Sequence, residues 1–352
     1  MFITGIGVAA PVHRYHQSEC WDALRSSAQF AELSPRSRSI LRKVLLSDNG
    51  IETRHLALDP LTQAFDLRPD ILHERFRIQA PGLAEKAARD ALDRAGVAVT
   101  EIDALLVSTC TGYLCPGLSS YVGEHLGLRA EVVCLDLVGQ GCGAALPNLR
   151  TASALLGSKQ CRHALSICVE VCSAAFFLDD DPGVLVSACL FGDGAAAAVV
   201  SREPGGEGRQ IEWRFCESAL RPEHRELLRF EQRDGMLRNI LSLEVPRVAA
   251  RQAGELFKRM STQAGVPFEA VTAWILHAGG KNVLEALRTE LGLTEEQTEG
   301  SAEILREYGN VSSPFVLFTL QRALQQETSP GWWWMSSFGA GFSCAGAFLD
   351  VH

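Results

Sequence analysis

The chain has 352 residues, 47% of them hydrophobic and 21% charged, with a formal net charge of -9. This length and composition allow a core larger than that of a usual single domain. The net negative charge offers no basic surface for a phosphate backbone, which argues against a nucleic-acid-binding protein.

The N-terminal residues 1–13 lack the basic start and the long apolar stretch of a signal peptide, and no run approaches the roughly 18 apolar residues of a membrane span. The 11 cysteines are an odd number without the paired spacings of a zinc site. This number and spacing of cysteines favour free thiols in a reducing compartment. We therefore expect a soluble, cytoplasmic protein.

An amphipathic helix, an Ala-Gly-Val turn and a short apolar strand occur twice in the chain, at residues 83–110 and 251–280. Ala95 aligns with Ala264, and Ala104 with Ala273, at one offset and without a gap (264 - 95 = 169; 273 - 104 = 169). A repeat of half the chain predicts duplication of a whole α/β unit, since solenoid repeats span roughly 20 to 50 residues. Two such units are expected to pack in layers about one core.

The boundary between the two units is predicted at residues 201–210, where glycine, proline and charge are concentrated. We expect an N-terminal half at residues 1–205 and a C-terminal half at residues 206–352. Near-continuous apolar runs predict parallel strands covered by helices on both faces, with short buried helix segments as the alternative. These runs are residues 104–110, 131–138, 164–172 and 273–278.

Cys142 follows an apolar strand, lies between Gly141 and Gly143, and precedes an Ala/Leu-rich helical stretch. The glycines permit unusual backbone angles and close approach of a substrate. The start of a helix favours thiolate over thiol, so we expect Cys142 to be the first thiol to react with iodoacetamide. The alternative is one more small buried residue.

His277 ends an apolar strand at a Gly-Gly turn, a position where side chains commonly face a cleft. Its alternative is a core histidine. Asn310 follows a glycine and precedes a helix, so by itself it would be a helix cap. The duplication aligns Gly141 with Asn310 (310 - 141 = 169). The three polar residues can therefore converge on one cleft between the halves.

Four segments of the chain carry a family resemblance. They are GQGCG at 139–143, LFGDGAAAAVV at 190–200, HAGG at 277–280 and YGNVSSPFVLF at 308–318. In order and in spacing (277 - 142 = 135; 310 - 277 = 33) they resemble the signatures of type III polyketide synthases, the chalcone and stilbene synthase family. The resemblance extends from the first strand to the C-terminus and is weakest before about Arg54.

The resemblance implies a homodimer of thiolase-fold subunits, layered α/β/α/β/α, with two halves related by a pseudo-twofold axis. It implies an enzyme that takes an acyl-CoA starter, extends it with malonyl-CoA and forms a pyrone, resorcinol or related polyketide. Cys142 corresponds to the nucleophile, and His277 and Asn310 to the family's His and Asn. Phe191 matches the gatekeeping Phe, and Cys115 a residue that enters the partner subunit. The positions that shape the cavity are Thr111, Ala175, Ser187, Gly235 and Ser312.

The chain departs from the family at residues 337–341, where Ser-Phe-Gly-Ala-Gly replaces Gly-Phe-Gly-Pro-Gly. Gly339 and Gly341 are kept, but the rigid proline is lost. The second gatekeeping Phe has no clear counterpart.

The basic residues that bind CoA in the plant enzymes are not reproduced position by position. Arg42 and Lys43 lie near those positions in the sequence and are candidates to bind CoA; the alternative is that they belong to a solvated helix face. Lys281 and Asn282 follow the His turn, where the family contacts the pantetheine arm, and Lys281 is expected to meet CoA phosphate.

The three polar residues form a chemically coherent set. Cys142 can hold the starter as a thioester, while His277 and Asn310 can donate to the enolate oxygen left by decarboxylation of malonyl-CoA. No motif for a metal, nicotinamide or flavin is present, so no cofactor is expected.

Three other classes remain open. A chain-initiating ketoacyl-ACP synthase shares Cys, His and Asn but usually follows them with other residues. A thiolase needs a second catalytic Cys, for which Cys344 is the candidate. A catalytically inactive scaffold would not need all three polar residues.

Overall fold

A computed structural model describes residues 1–158, 160–206, 208–326 and 328–352. In these residues no helix has the length and apolar content needed to cross a membrane. The strands are β1 (Phe2–Ala9), β2 (Arg14–His16), β3 (Thr53–His55), β4 (Ala104–Thr109), β5 (Val133–Val138), β6 (His163–Glu170), β7 (Gly194–Ser201), β8 (Ile211–Leu220), β9 (Leu228–Arg233), β10 (Met236–Leu241), β11 (Val271–Leu276), β12 (Gly331–Gly339) and β13 (Ser343–Val351). The α-helices are α1 (Gln17–Arg25), α2 (Ala28–Glu32), α3 (Pro35–Leu46), α4 (Pro69–Ala95), α5 (Leu118–Leu126), α6 (Ala145–Leu156), α7 (Pro182–Leu190), α8 (Val245–Ala264), α9 (Lys281–Leu291), α10 (Glu295–Tyr308) and α11 (Phe315–Gln325).

Nine strands form one sheet in the order β11-β12-β13-β8-β1-β7-β6-β4-β5. Its two parts meet where β1 pairs with β8, only at Phe2 with Glu212 and Ile3 with Ile211. The β4–β5, β4–β6 and β11–β12 pairs are parallel, and the others are antiparallel. The sheet is therefore mixed, although all four strands predicted from apolar runs lie in its parallel parts.

The helices form three layers around the two parts of the sheet. Helices α4 and α5 cover the outer face of the N-terminal strands, and α8 packs on β13 and β8 with α9 beside it. Helices α6 and α11 contact strands of both parts, so they form the central layer. This arrangement confirms the predicted duplicated, layered α/β/α/β/α fold.

The sequence offset of 169 recurs in the elements themselves. Helix α4 ends at Gly96 with φ 62° and α8 ends at Gly265 with φ 66° (265 - 96 = 169). Glycine adopts this left-handed conformation without steric cost, so each helix stops at the same point of its half. Strand β6 and helix α6 likewise correspond to β12 and α11.

Strand β5 departs from the prediction of a buried strand. It lies at the edge of the sheet, where β4 is its one neighbouring strand among the described residues, and Val133 and Val138 are exposed. An apolar run does not reveal how many faces of its strand are covered. At the corresponding position of the second half, the described residues form helix α10 instead of a strand.

The predicted connection at residues 201–210 joins β7, which ends at Ser201, to β8, which begins at Ile211. Residues 202–206 are exposed. Glu207 lies outside the described residues.

Candidate active site

Cys142 lies in a short 3₁₀ turn, Gly141–Gly143, between the end of β5 and the start of α6. Gly141 has φ +55°, and a Cβ at Gly143 would come within 3.0 Å of the Gly339 nitrogen. The turn therefore needs glycine on both sides of the cysteine, for backbone conformation on one side and close packing on the other. The strand-turn-helix geometry predicted for Cys142 is present.

Cys142 is a half-buried residue that lines a cavity, and its thiol accepts a hydrogen bond from Ser312 Oγ at 3.2 Å. Burial raises its pKa to about 12, an effect that the Ser312 hydrogen bond partly offsets and the charge of Glu170 reinforces. The empty site therefore favours the thiol, and the expectation of a preformed thiolate is wrong. Removal from bulk water outweighs the effect of the helix start.

His277 directly follows β11, and its backbone N–H donates to the Ser336 carbonyl at 3.0 Å. Its ring packs edge-on against Phe315 and Phe338. Burial lowers its pKa to about 3, so the imidazole is neutral. Nδ1 is buried without a hydrogen-bond partner in the described part of the chain. The ring is held in place by packing, and Nε2 is the ring nitrogen that remains to exchange a proton or form a hydrogen bond with a substrate.

Asn310 has a fixed amide orientation. Its Oδ1 accepts from the Ser312 N–H at 2.8 Å, and its Nδ2 donates to the Gly279 carbonyl at 3.3 Å. The Asn310 side chain also hydrogen-bonds to Cys142, which lowers the pKa of that thiol. Helix α11 begins at Phe315 with Pro314 as its N-cap, so the alternative of a helix cap is wrong.

Asn310 lies near His277 on one side and is linked to Cys142 on the other. A Cβ built on Gly279 would lie 3.7 Å from both Asn310 Nδ2 and His277 Nε2. Ser312 connects Asn310 to Cys142, since it donates from its N–H to Asn310 Oδ1 and from its hydroxyl to the Cys142 sulfur. Both side-chain nitrogens therefore lie near Gly279, and Ser312 links Asn310 to the thiol.

Glu170, at the end of β6, was missed by the sequence interpretation. Its carboxylate is fully buried and accepts from the Cys110 N–H at 2.9 Å, Thr111 Oγ1 at 2.9 Å and Ser313 Oγ at 2.5 Å, with Thr109 Oγ1 at 3.2 Å. It thereby connects the loop after β4 to the segment that carries Asn310. A single acid within an otherwise apolar strand was the available signal, because acids are rarely buried without a partner.

Two cavities lie at the turn that carries Cys142; Cys142 lines the first, and Gly141 lines both. We call the first the apolar channel; its wall includes Leu24, Leu41, Cys110, Cys142, Ser187 and Phe191. Its volume is about 90 Å³. We call the second the open cavity; its wall includes His73, Thr109, Tyr113, Arg225, Gln232 and Gly235. Its volume is about 710 Å³.

The predicted cavity residues divide between these two spaces. Thr111 lines both of them. The apolar channel is lined by Ala175, Ser187, Phe191 and Ser312.

Gly235 and Gly341 line the open cavity. Gly235 is in the β9–β10 turn with φ +77°, where any larger residue would be strained. Cys115 is exposed, and Gly339 packs against the turn at Gln140. Neither of these two is among the described residues that line the cavities.

None of the four predicted CoA-binding residues lines either cavity within the described chain. Arg42 and Lys43 are exposed on α3, and Asn282 is exposed at the start of α9. Lys281 Nζ forms an ion pair with Asp48 at 2.6 Å. A phosphate would have to displace that carboxylate to reach Lys281.

Comparison with known proteins decides the family. The family models for the N-terminal and C-terminal domains of chalcone and stilbene synthases match residues 6–204 and 216–349. The chain belongs to this family. It is a type III polyketide synthase, a malonyl-CoA-condensing acyltransferase, as the resemblance implied. This finding decides against the ketoacyl-ACP synthase, thiolase and scaffold alternatives.

Similar proteins span nearly the whole synthase. A 3,5-dihydroxyphenylacetyl-CoA synthase of Streptomyces toyocaensis is 30% identical over 94% of this chain and 84% of that protein. A 1,3,6,8-tetrahydroxynaphthalene synthase of Streptomyces peucetius subsp. caesius is 32% identical over 97% of this chain and 91% of its own. The crystal structure of PKS-I from the brown alga Ectocarpus siliculosus superimposes with a TM-score of 0.89 at 25% identity, covering 99% and 97% of the two chains.

The pKa of Cys142 predicts how the empty synthase reacts with iodoacetamide. Below a pKa of about 12 the thiolate fraction rises tenfold per pH unit. The alkylation rate of Cys142 should therefore rise about a hundredfold between pH 7 and pH 9 without a plateau. In subunits separated from the expected homodimer, exposed Cys115 and Cys134 should react before Cys142, which corrects the expected order. Peptide mass spectrometry over a pH series measures all three rates, and a plateau near neutral pH would instead indicate a stable thiolate.

A second prediction concerns Glu170 in the synthase. Glu170→Ala removes the acceptor for the Cys110 N–H and leaves a cavity, which should lower the free energy of unfolding by about 2–4 kcal/mol. Glu170→Gln keeps the volume and one acceptor oxygen, and its amide can donate to the Ser313 hydroxyl. Its loss should stay below about 1.5 kcal/mol. Urea unfolding of both variants tests this, and equal losses would contradict the proposed network.

Proposed function

We propose that this polyketide synthase holds its acyl starter as a thioester on Cys142 and extends it with malonyl-CoA, using His277 and Asn310 as the two polar partners. The observation that carries the proposal is that His277 Nε2 and Asn310 Nδ2 both lie 3.7 Å from a Cβ built on Gly279, while Ser312 links Asn310 to the Cys142 thiol. Two such hydrogen-bond donors can stabilise the negative charge on one oxygen atom of the enolate.

Loading begins with two neutral groups. As the Cys142 sulfur attacks the starter carbonyl, His277 Nε2 accepts the thiol proton. The bond between the carbonyl and the CoA sulfur then breaks, and the departing sulfur takes the proton. The pKa of about 3 at His277 makes the imidazolium short-lived in the empty site, so it returns this proton readily.

Extension requires stabilisation of an enolate. Loss of carbon dioxide from malonyl-CoA leaves negative charge on the thioester oxygen, to which Asn310 Nδ2–H donates. His277 donates from Nε2–H in the tautomer that carries the single proton of the neutral ring on Nε2, whereas loading uses the tautomer with that proton on Nδ1. Asn310 is preorganised because Ser312 and Gly279 already hold its amide. The enolate carbon then attacks the Cys142 thioester, which releases the cysteine sulfur and transfers the lengthened chain to CoA.

The products of similar proteins indicate the product class. Their names specify a dihydroxyphenylacetyl-CoA and a tetrahydroxynaphthalene, both aromatic polyketides. We propose that this chain likewise makes a cyclised polyketide of the resorcinol, naphthalene or pyrone type from acyl-CoA and malonyl-CoA, in the cytoplasm.

We further propose a homodimer whose subunits divide into residues 1–205 and 206–352. Exposed apolar side chains support a surface that the partner subunit covers. Val133 and Val138 lie on the edge strand β5, and Tyr113 borders the open cavity. A second copy would remove these side chains from water, and Cys115, in the same exposed loop as Tyr113, would meet the partner.

The test uses the wild-type protein with a panel of acyl-CoAs and carboxyl-labelled malonyl-CoA. Peptide mass spectrometry should find the starter on Cys142, and labelled carbon dioxide should be released in step with chain extension. An adduct at another cysteine, or release of carbon dioxide without product, would contradict the proposed role of this site.

A further inference from the structure

The backbone of Asn310 is held by the segment that carries Phe191. The Asn310 N–H donates to the Leu190 carbonyl at 2.9 Å, and the Asn310 carbonyl accepts from the Gly192 N–H at 3.0 Å. These two hydrogen bonds form an isolated parallel bridge between Phe191 and Asn310. The position of the Asn310 amide therefore depends on how firmly residues 190–192 are fixed.

Arg54 in β3 fixes this segment at the end of α7. The residue is 6% exposed, and its Nη1 donates to the carbonyls of Ala188 at 2.9 Å and Phe191 at 3.1 Å. Its Nε donates to Gln17 Oε1 at 3.1 Å, and Gln17 Nε2 donates to the Cys189 carbonyl at 3.0 Å. The last carbonyls of a helix lack partners within the helix, and a planar guanidinium can bind several acceptors in fixed directions. Arg54 and Gln17 together therefore bind three carbonyls at this helix end.

Arg54 also contacts the chain on the other side of the bridge. A Cβ built on Gly309 would lie 3.0 Å from Arg54 Cγ, so the stem of this side chain packs against the residue before Asn310. The turn that carries Cys142 packs instead against residues 339–340. Loss of the Arg54 side chain would therefore loosen the Asn310 segment and leave the nucleophile in place.

We propose that Arg54 is a positioning residue for the decarboxylation of malonyl-CoA, because it holds the Asn310 amide where the enolate oxygen develops its charge. This inference rests on the proposed function, since Arg54 acts through Asn310. A donor stabilises that charge only when its distance and direction are already correct, and a misplacement of about 1 Å can cost roughly a hundredfold in rate. The effect of Arg54 should therefore fall on the rate of this step and not on the affinity for malonyl-CoA.

The test measures carbon dioxide release from carboxyl-labelled malonyl-CoA by Arg54→Met and Arg54→Lys. In Arg54→Met, which removes every donor of the side chain, we expect kcat to fall about a hundredfold with KM little changed. Arg54→Lys keeps the charge but lacks the planar fork, so it should recover only part of the loss. Acylation of Cys142 should persist in both variants. Arg54 also lines the apolar channel, so a higher KM at unchanged kcat would show direct contact with the substrate and overturn the inference.

Arg202→Met is the matched control. Arg202 likewise donates to backbone carbonyls beside the end of a helix, those of Leu156 at 3.1 Å and Cys161 at 2.8 Å. The helix is α6, and Arg202 meets it at the end opposite to Cys142. Arg202→Met should therefore decarboxylate malonyl-CoA at the wild-type rate.

A double variant tests whether Arg54 acts through Asn310. If it does, adding Arg54→Met to Asn310→Ala should cause no further loss of decarboxylation, because the donor that Arg54 positions is already absent. General damage to the structure would instead multiply the two losses.

The outcomes separate this inference from the proposed function. If Asn310→Ala decarboxylates malonyl-CoA at the wild-type rate, the proposed function fails. If Asn310→Ala is slow but Arg54→Met matches Arg202→Met, or if the two losses multiply, only the inference is overturned. Thermal unfolding identifies the folded variants. Should Arg54→Met not fold, Arg54→Lys and Gln17→Leu, which removes the acceptor of Arg54 Nε, must show a smaller loss confined to kcat.

Discussion

Replacing Cys142 with alanine is expected to abolish both acyl-enzyme formation and chain extension. The other groups at the site can stabilise an oxyanion, but none can form the thioester that separates loading from extension. The loss of chain extension should be roughly 10⁴-fold or more, as expected when a covalent nucleophile is removed. Intact-protein mass spectrometry after incubation with acyl-CoA measures loading, and product release measures extension.

Cys344→Ala is the matched control for this experiment. Cys344 is a buried thiol in β13, and it is the residue that a thiolase mechanism would require. The Cys344→Ala protein should still carry the acyl group on Cys142. Acylation of Cys142→Ala at Cys344, with continued extension, would show that the nucleophile has been misassigned.

Asn310→Ala is expected to separate the two half-reactions. The amide donates to the enolate oxygen but is not required as a base, so acylation of Cys142 should persist. Loss of a preorganised donor typically costs on the order of a hundredfold or more in the step that develops charge. Malonyl-CoA decarboxylation and extension should therefore fall together by about that factor, as measured by labelled carbon dioxide release.

His277→Ala should behave differently, because Nε2 serves as the base in loading and as a donor in extension. Both half-reactions should fall in this variant. Asn49→Ala provides the control for Asn310, since Asn49 Oδ1 also accepts an N–H two residues later, from Ile51 at 2.8 Å, away from the site. If Asn310→Ala matches Asn49→Ala in decarboxylation rate, Asn310 only stabilises its turn.

The sequence by itself determined the duplicated fold and the three polar positions. Gly96 and Gly265, which are 169 residues apart, each end the helix that precedes them, so each signal depends only on neighbouring residues. The glycines around Cys142 predicted its turn for the same reason. Conformational preferences of single residues and regular spacings act over a few neighbours, so they can be recognised in the chain alone.

Only the tertiary structure decided the protonation states and the cavities. Cys142 and His277 are both neutral because the surrounding layers remove water from them, and their sequence neighbours do not reveal that burial. Glu170 meets Ser313 across 143 positions of sequence. The apolar channel likewise needs helices α1 and α3 to lie against α7, far along the chain. Such features depend on distances between segments that only the packed layers bring together.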